Sequence, residues 1–163
     1  VLDGGLKKWL AEGRPVTDAS PQLRERHFTP RQINLLIRDL EQIRANLTSR
    51  REQIVDARSP GRFHATEPEP RPGVRGGHIP GSLNLHYLRL IHSDGTFATH
   101  DEIRQRFAEA GVDLRRPIVT TCGSGVSAAV LNLALYRLGL AEAALYDGSW
   151  VEWGSRPDTP IAT

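Results

Sequence analysis

"PIVTTCGSGVSAAVLNLALYRLG", Pro117 to Gly139, holds the change of pattern on which the fold turns. It opens on an apolar, β-branched run, the composition of a buried strand. Gly123 and Gly125 interrupt that run directly after Cys122, and an apolar segment of helical length follows, stopped by Gly139. Strand, very short loop and helix are therefore expected in that order. Cys122 is the only cysteine in the chain and stands at the strand's end. A lone cysteine is often a small, inert core residue. The residues after it argue for chemistry. Glycines let the connection curl and turn backbone N–H groups inward, and the first N–H groups of a helix have no partners within it. A sulfur at the mouth of such a loop meets donors and the positive end of a helix dipole, and both favour thiolate over thiol.

The flanking sequence repeats the alternation. "QIVDAR" predicts a short buried strand ending near Asp56, "SLNLHY" a short strand, and "AALYD" another. Thr99 and Glu102 have capping-box spacing for a helix over "DEIRQRFAEA", with Gly111 as its stop. In "TPRQINLLIRDLEQIRANL", Thr29 suits an N-cap and Pro30 the first helical position. Ile33, Leu36, Ile37, Leu40 and Ile43 share one helical face, so a helix is predicted over this stretch. Strands alternating with helices predict an α/β domain, a mainly parallel central sheet flanked by helices on both faces. Between Ser59 and Gly81 lie five prolines and five glycines without regular periodicity. A loop of that length inside a domain is usually functional.

Composition narrows the function. The chain has 163 residues, enough for one domain with a real core, and 25% of them are charged. Lys+Arg number 21 against 19 Asp+Glu, nearly all the basic residues being arginine, so no strong field arises. Without a lysine-rich run or a basic stripe interleaved with aromatics, nucleic acid is a poor partner. No apolar run reaches the roughly 20 residues of a membrane span, and no signal peptide is visible. A single cysteine forms no internal disulfide and suits a reducing, cytoplasmic setting.

The opening residues have an echo. "VLDGGLKKW" (1–9) matches "LYDGSWVEW" (145–153): each reads apolar, apolar, Asp, Gly, small, with Trp six residues after Asp. The offset is 144 (147 − 3). The chain also contains no methionine and opens like the middle of a protein. Residues 1–13 are therefore expected to be the tail of a missing N-terminal domain of the same fold. Polar, proline-bearing residues 14–28 follow as an interdomain linker, and 29–163 form the catalytic domain.

"CGSGVS" (122–127), with "GHIPGS" (77–82) upstream and "DGSWVEW" (147–153) downstream, resembles the catalytic domain of the rhodanese family. Within it the motifs are most similar to tandem-domain 3-mercaptopyruvate sulfurtransferases, in which only the second domain bears the cysteine. The resemblance runs over essentially the whole chain. It implies the rhodanese-like fold and a six-residue active loop of Cys122, Gly123, Ser124, Gly125, Val126 and Ser127, with Ser127 where the family usually has Thr. It implies that Cys122 takes a sulfur atom, becomes a persulfide and passes the sulfur to a thiol such as thioredoxin, or to cyanide. It further implies a catalytic role for Ser124 in a relay whose His and Asp belong to the missing domain. Arg62 and Arg71 become the pair that grips the substrate's carboxylate and carbonyl. No cofactor and no metal are implied.

Charge points to the donor. Rhodaneses proper place Arg and Lys in the loop to meet thiosulfate, a dianion, whereas this loop is uncharged. 3-Mercaptopyruvate, with thiol and carboxylate at opposite ends, suits cations set away from the sulfur, and guanidinium offers a carboxylate planar, paired donors. Thiosulfate:cyanide sulfur transfer is the runner-up. A cysteine phosphatase would need a longer loop closing on an arginine. A chain lacking its partner domain would be an inactive persulfide carrier or interaction module with a bare apolar interface. Ala65 stands where the family more often has Gly, which predicts a strained loop if that position needs positive φ. Asp56 and Arg58 read as a buried ion pair shaping the loop, His78 as a structural imidazole, and Trp150 and Trp153 as core aromatics.

Overall fold

The computed structural model describes residues 1–30 and 33–163. In chain order the elements are α1 (Gly5–Ala11), β1 (Ile37–Arg38), α2 (Leu40–Ser49), β2 (Gln53–Asp56), α3 (Pro60–Phe63), β3 (Leu83–Asn84), α4 (His100–Glu109), β4 (Ile118–Thr121), α5 (Ala128–Arg137), β5 (Ala144–Tyr146) and α6 (Ser149–Ser155). Short 3-10 turns cover Asn34–Leu36 and Tyr87–Leu90. The strands pair in the order β1-β5-β4-β2-β3, every pair parallel. This is the expected α/β sheet.

Strand alternation divides the core. Val55 and Ile118 face Ile103 and Phe107 of α4 and Leu131 and Leu135 of α5. Ile54, Val119, Ala144 and Tyr146 point the other way, onto Leu40 and Ile43 of α2 and Trp150 and Trp153 of α6. Each fully buried side chain of this size contributes roughly 1.5–3 kcal/mol relative to exposure, so the two clusters hold helices on both faces. The crossovers obey one hand. β3→β4 and β4→β5 step the same way along the sheet with helices on one face, and β1→β2 steps back with its helix on the other.

The expected capping box of Thr99 and Glu102 is present, and α4 begins at His100. The helix expected from Thr29 is a correction. Arg31 and Gln32 lie outside the described residues. Among the described residues no α-helix lies between Thr29 and Asp39, and the segment from Ile33 becomes a 3-10 turn and then β1, with Ile37 registered against Leu145. The helix starts only at Leu40. There Asp39 accepts from the Gln42 N–H, and the Gln42 side chain accepts from the Asp39 N–H. That reciprocal cap satisfies the first N–H groups at a defined point, and pairing with the sheet edge claims the residues before it.

α1 and α6 occupy equivalent places in the echo, since 5 + 144 = 149 and 11 + 144 = 155. α6 buries four residues, including both tryptophans, and α1 buries none. The Asp3 carboxylate accepts from the Phe97 N–H at 2.7 Å, so the opening segment touches the turn at 92–97.

Candidate active site

β2 and β4 are neighbours whose connections leave in opposite directions, toward β3 and β5 respectively. The carboxyl ends of two such strands bound a crevice, the usual ligand site of an open parallel sheet. Both loops of interest rise there. β4 delivers Cys122, and β2 delivers Ala57 to Gly81.

The active loop turns between Thr121 and Ala128. Gly125 takes φ +86°, a conformation open to glycine at little cost, and a Cβ there would stand 3.3 Å from the Asp147 carboxylate. The segment after β5 anchors the loop from below. The N–H groups of Trp150 and Val151 donate to the Cys122 and Gly123 carbonyls at 2.9 and 3.0 Å. The Cys122 N–H donates to Ser149 Oγ, whose own hydroxyl donates to the Tyr146 carbonyl. Ser149 is buried with φ +53°, so this support is strained as well as close. Among the described residues, the N–H groups of Gly123 to Ala128 donate to no protein acceptor. They are thereby left available to a ligand.

Cys122 is 1% exposed and packs with the α4/α5 core cluster. The thiol is therefore buried, a depth that the sequence pattern does not show. It is not sealed: a cavity of about 190 Å³ reaches it. Arg62, Arg71, Ser124 and Ser127 line that cavity with it, so the expected thiol, hydroxyls and both arginines converge. Val126 stands outside, 78% exposed at the loop's crest. The Arg62 guanidinium lies across Gly123, where a Cβ would come within 2.9 Å of Nη2 and push the arginine aside. No side chain donates to or accepts from Ser124 Oγ among the described residues, and the His and Asp of the implied relay are not found beside it.

Sequence reasoning missed Glu69. Its side chain is 1% exposed and lines the cavity between the arginines. It accepts from Arg58 Nη1 at 2.8 Å, and from Arg62 through Nη2 at 2.6 Å and Nε at 3.2 Å. Arg58 is the expected buried partner of Asp56, with Nη2 at 2.7 Å and Nε at 3.0 Å from Oδ2. It also donates to the Gly77 carbonyl and lies 4.4 Å from the centre of a Trp150 ring. Two carboxylates and two guanidiniums thus alternate from the end of β2 to the cavity. Nothing in "ATEPEPRPG" marks which glutamate joins them; only its nearness in sequence to Arg62 and Arg71 was a signal.

His78 is structural, as expected. Its Nδ1 is 2.9 Å from the Phe63 carbonyl, its ring stacks on Phe63 at 3.7 Å, and burial holds its imidazole below the ordinary histidine range. Ala65 takes φ +57°, the strained conformation its position implied. No group of three His, Cys, Asp or Glu side chains gathers to hold a metal ion among the described residues, and no helix there is long and apolar enough to cross a membrane.

The chain is similar to known proteins over nearly its whole length. A human 3-mercaptopyruvate sulfurtransferase is 43% identical over 164 residues, which are 99% of this chain and 55% of the relative. A bovine thiosulfate sulfurtransferase is 40% identical over 165 residues, 99% of this chain and 56% of the relative. The chain thus spans about half the length of the curated relatives it matches. Among solved structures, the Escherichia coli 3-mercaptopyruvate sulfotransferase SseA superposes with a TM-score of 0.78 at 35% identity, over 91% of this chain and 55% of SseA. The model of the rhodanese-like domain matches residues 39–156, from the cap of α2 to the end of α6. With most of its length matched and its cysteine loop at the switch point of the parallel sheet, the chain belongs to the rhodanese-like domain family.

Proposed function

We propose that the chain carries the catalytic unit of a sulfurtransferase that moves sulfur from 3-mercaptopyruvate to a thiol or cyanide through a Cys122 persulfide. The observation that carries this reading is the sharing of one small cavity by Cys122, Arg62 and Arg71. The Cys122 thiolate attacks the donor's sulfur and forms the S–S bond. The donor's C–S bond breaks, and its electron pair leaves as the enolate of pyruvate, which takes up a proton. Arg62 and Arg71 meet the carboxylate and the charge growing on the carbonyl oxygen, where fixed cations act most strongly. In the second half-reaction an acceptor thiolate, thioredoxin's for example, or cyanide attacks the outer sulfur and releases the Cys122 thiolate. The free N–H groups of the loop are suited to the anionic sulfur at both stages.

Charge supports this donor over thiosulfate. Asp56, Arg58, Glu69 and Arg62 cancel as a group, leaving Arg71 as the net cation of the cavity. One positive charge fits a monocarboxylate better than a dianion. The relatives carry both names, so the comparison of kcat/KM for the two donors decides, with 3-mercaptopyruvate expected to be faster. Mass spectrometry of the chain after incubation with 3-mercaptopyruvate should show one sulfur atom gained on Cys122, and Cys122→Ser should abolish the gain. An unmodified thiol would overturn the reading for this chain.

The equivalence of α1 and α6 supports a preceding rhodanese-like unit whose tail is residues 1–13, joined by the linker 14–28 to the catalytic unit 29–163. Without that unit the chain becomes a persulfide carrier, loaded but slow to turn over. A thiol that must stay reduced to act fits a cytoplasmic setting.

A further inference from the structure

We infer that Glu69 is the positioning residue that sets Arg62 for the substrate. The inference rests on the donor reading above and adds a residue to it. Arg62 is 25% exposed and reaches across Gly123 on a flexible stem. The partner its guanidinium has among the described residues is the Glu69 carboxylate, which takes Nη2 at 2.6 Å and Nε at 3.2 Å. Glu69 is itself buried and anchored. Its Oε1 is held by Arg58 Nη1 at 2.8 Å, and Arg58 is fully buried between Asp56, the Gly77 carbonyl and the face of Trp150. The position of Arg62 is thereby referred back to the end of β2, the strand next to the one that delivers Cys122.

This arrangement also decides which edge of Arg62 faces substrate. Glu69 occupies the Nε–Nη2 edge. Nη1 donates to no protein acceptor among the described residues. Three N–H donors remain, one on Nη2 and two on Nη1, so a substrate carboxylate or carbonyl meets the Nη1–Nη2 edge of Arg62, aimed by Glu69, with Arg71 supplying the rest. Freed from Glu69, the same guanidinium can rotate, and that edge can turn toward solvent.

The test is a double-mutant cycle on the full 163-residue chain, with Glu69→Gln, Arg62→Gln and the double variant. Two readouts are followed: loading of Cys122 from 3-mercaptopyruvate, and discharge of a persulfide preloaded with inorganic polysulfide to dithiothreitol, a neutral acceptor. Glu69→Gln should raise KM for 3-mercaptopyruvate about tenfold, the scale of one charge-assisted hydrogen bond, with a smaller fall in kcat. Discharge to dithiothreitol should stay within about twofold, since no substrate anion is gripped there. In the Arg62→Gln background the same change should leave KM unaltered, because Glu69 acts through Arg62. An equal rise in KM in both backgrounds, or equal losses in loading and discharge, would overturn the proposal. If Glu69→Gln does not fold, Glu69→Asp is used. It keeps the charge beside Arg58 but is one methylene too short to serve both arginines, and the same outcomes apply. A wild-type chain that loads from thiosulfate and not from 3-mercaptopyruvate defeats the donor reading alone, and the cycle is then read with thiosulfate. A chain that loads from neither defeats both.

Discussion

Arg71 and Arg62 enter the cavity on different terms. Arg62 comes with its charge matched by Glu69, whereas Arg71 makes no ion pair among the described residues. Arg71→Ala should therefore raise KM for 3-mercaptopyruvate by roughly ten- to a hundredfold, the 1.5–3 kcal/mol of a hydrogen bond to a charged group, with little change in melting temperature. Ala65 offers a stability test at the same scale. Its φ of +57° costs about 1–2 kcal/mol for a residue with a Cβ, and Ala65→Gly recovers most of it, less the added freedom of the unfolded chain. A Cβ on Gly76 would stand 2.9 Å from the Ala65 Cβ. Gly76→Ala should then lower the melting temperature in the native background and lower it less beside Ala65→Gly. His78 sets a pH dependence. Burial, the leading cause, holds the folded imidazole neutral below the ordinary value of about 6.5, so the unfolded chain takes up protons first as pH falls. Stability is present above about pH 6.5 and is lost as pH drops from there toward the lowered folded value. Burial acts on His86 in the same direction, so thermal melts of His78→Gln should show a shallower loss on acidification, not a flat one.

At the scale of elements, the two capping boxes give a controlled comparison. Asp39→Ala and Thr99→Ala should each cost about 1 kcal/mol in denaturant unfolding, since each leaves one N–H at a helix start without its acceptor. The sequence announced the second of these and concealed the first, although Asp39 and Gln42 have the required spacing. The reason is a competing pattern. Ile33, Leu36, Ile37, Leu40 and Ile43 fall on one side of an ideal helix, and a two-residue edge strand is too short to show alternation of its own. The active loop was legible because its strand, glycines and helix are consecutive in the chain. Glu69 was not, because its partners Arg58 and Arg62 are joined to it by the folding of a proline-rich loop with no period to read. The depth of Cys122 was equally hidden: how far a strand-end thiol is covered depends on residues distant in the chain, such as Arg62 and Pro70, which line the same cavity from the connection after β2.

Across the whole molecule, the site is assembled from both sides of a divide between two strands and braced from a third. Arg58 is the joint of that assembly, with Asp56 and Glu69 depending on it for charge. Arg58→Met should destabilise the fold by about 3–5 kcal/mol, because two buried carboxylates lose their common partner, and chemical denaturation would measure the loss. The depth of the thiol has a further consequence for the order of events. On the sulfur transfer proposed above, a thiol 1% exposed beneath a cavity of about 190 Å³ would admit slender donors and turn away folded proteins. Loading would then change the threshold. A gained sulfur would stand about 2 Å beyond the first, the length of an S–S bond, and could bring the reactive atom nearer the entrance. A bulky acceptor that could never touch the bare thiol could then collect from the loaded one, and the same narrow passage that restricts what gives sulfur would leave a wider choice of what takes it.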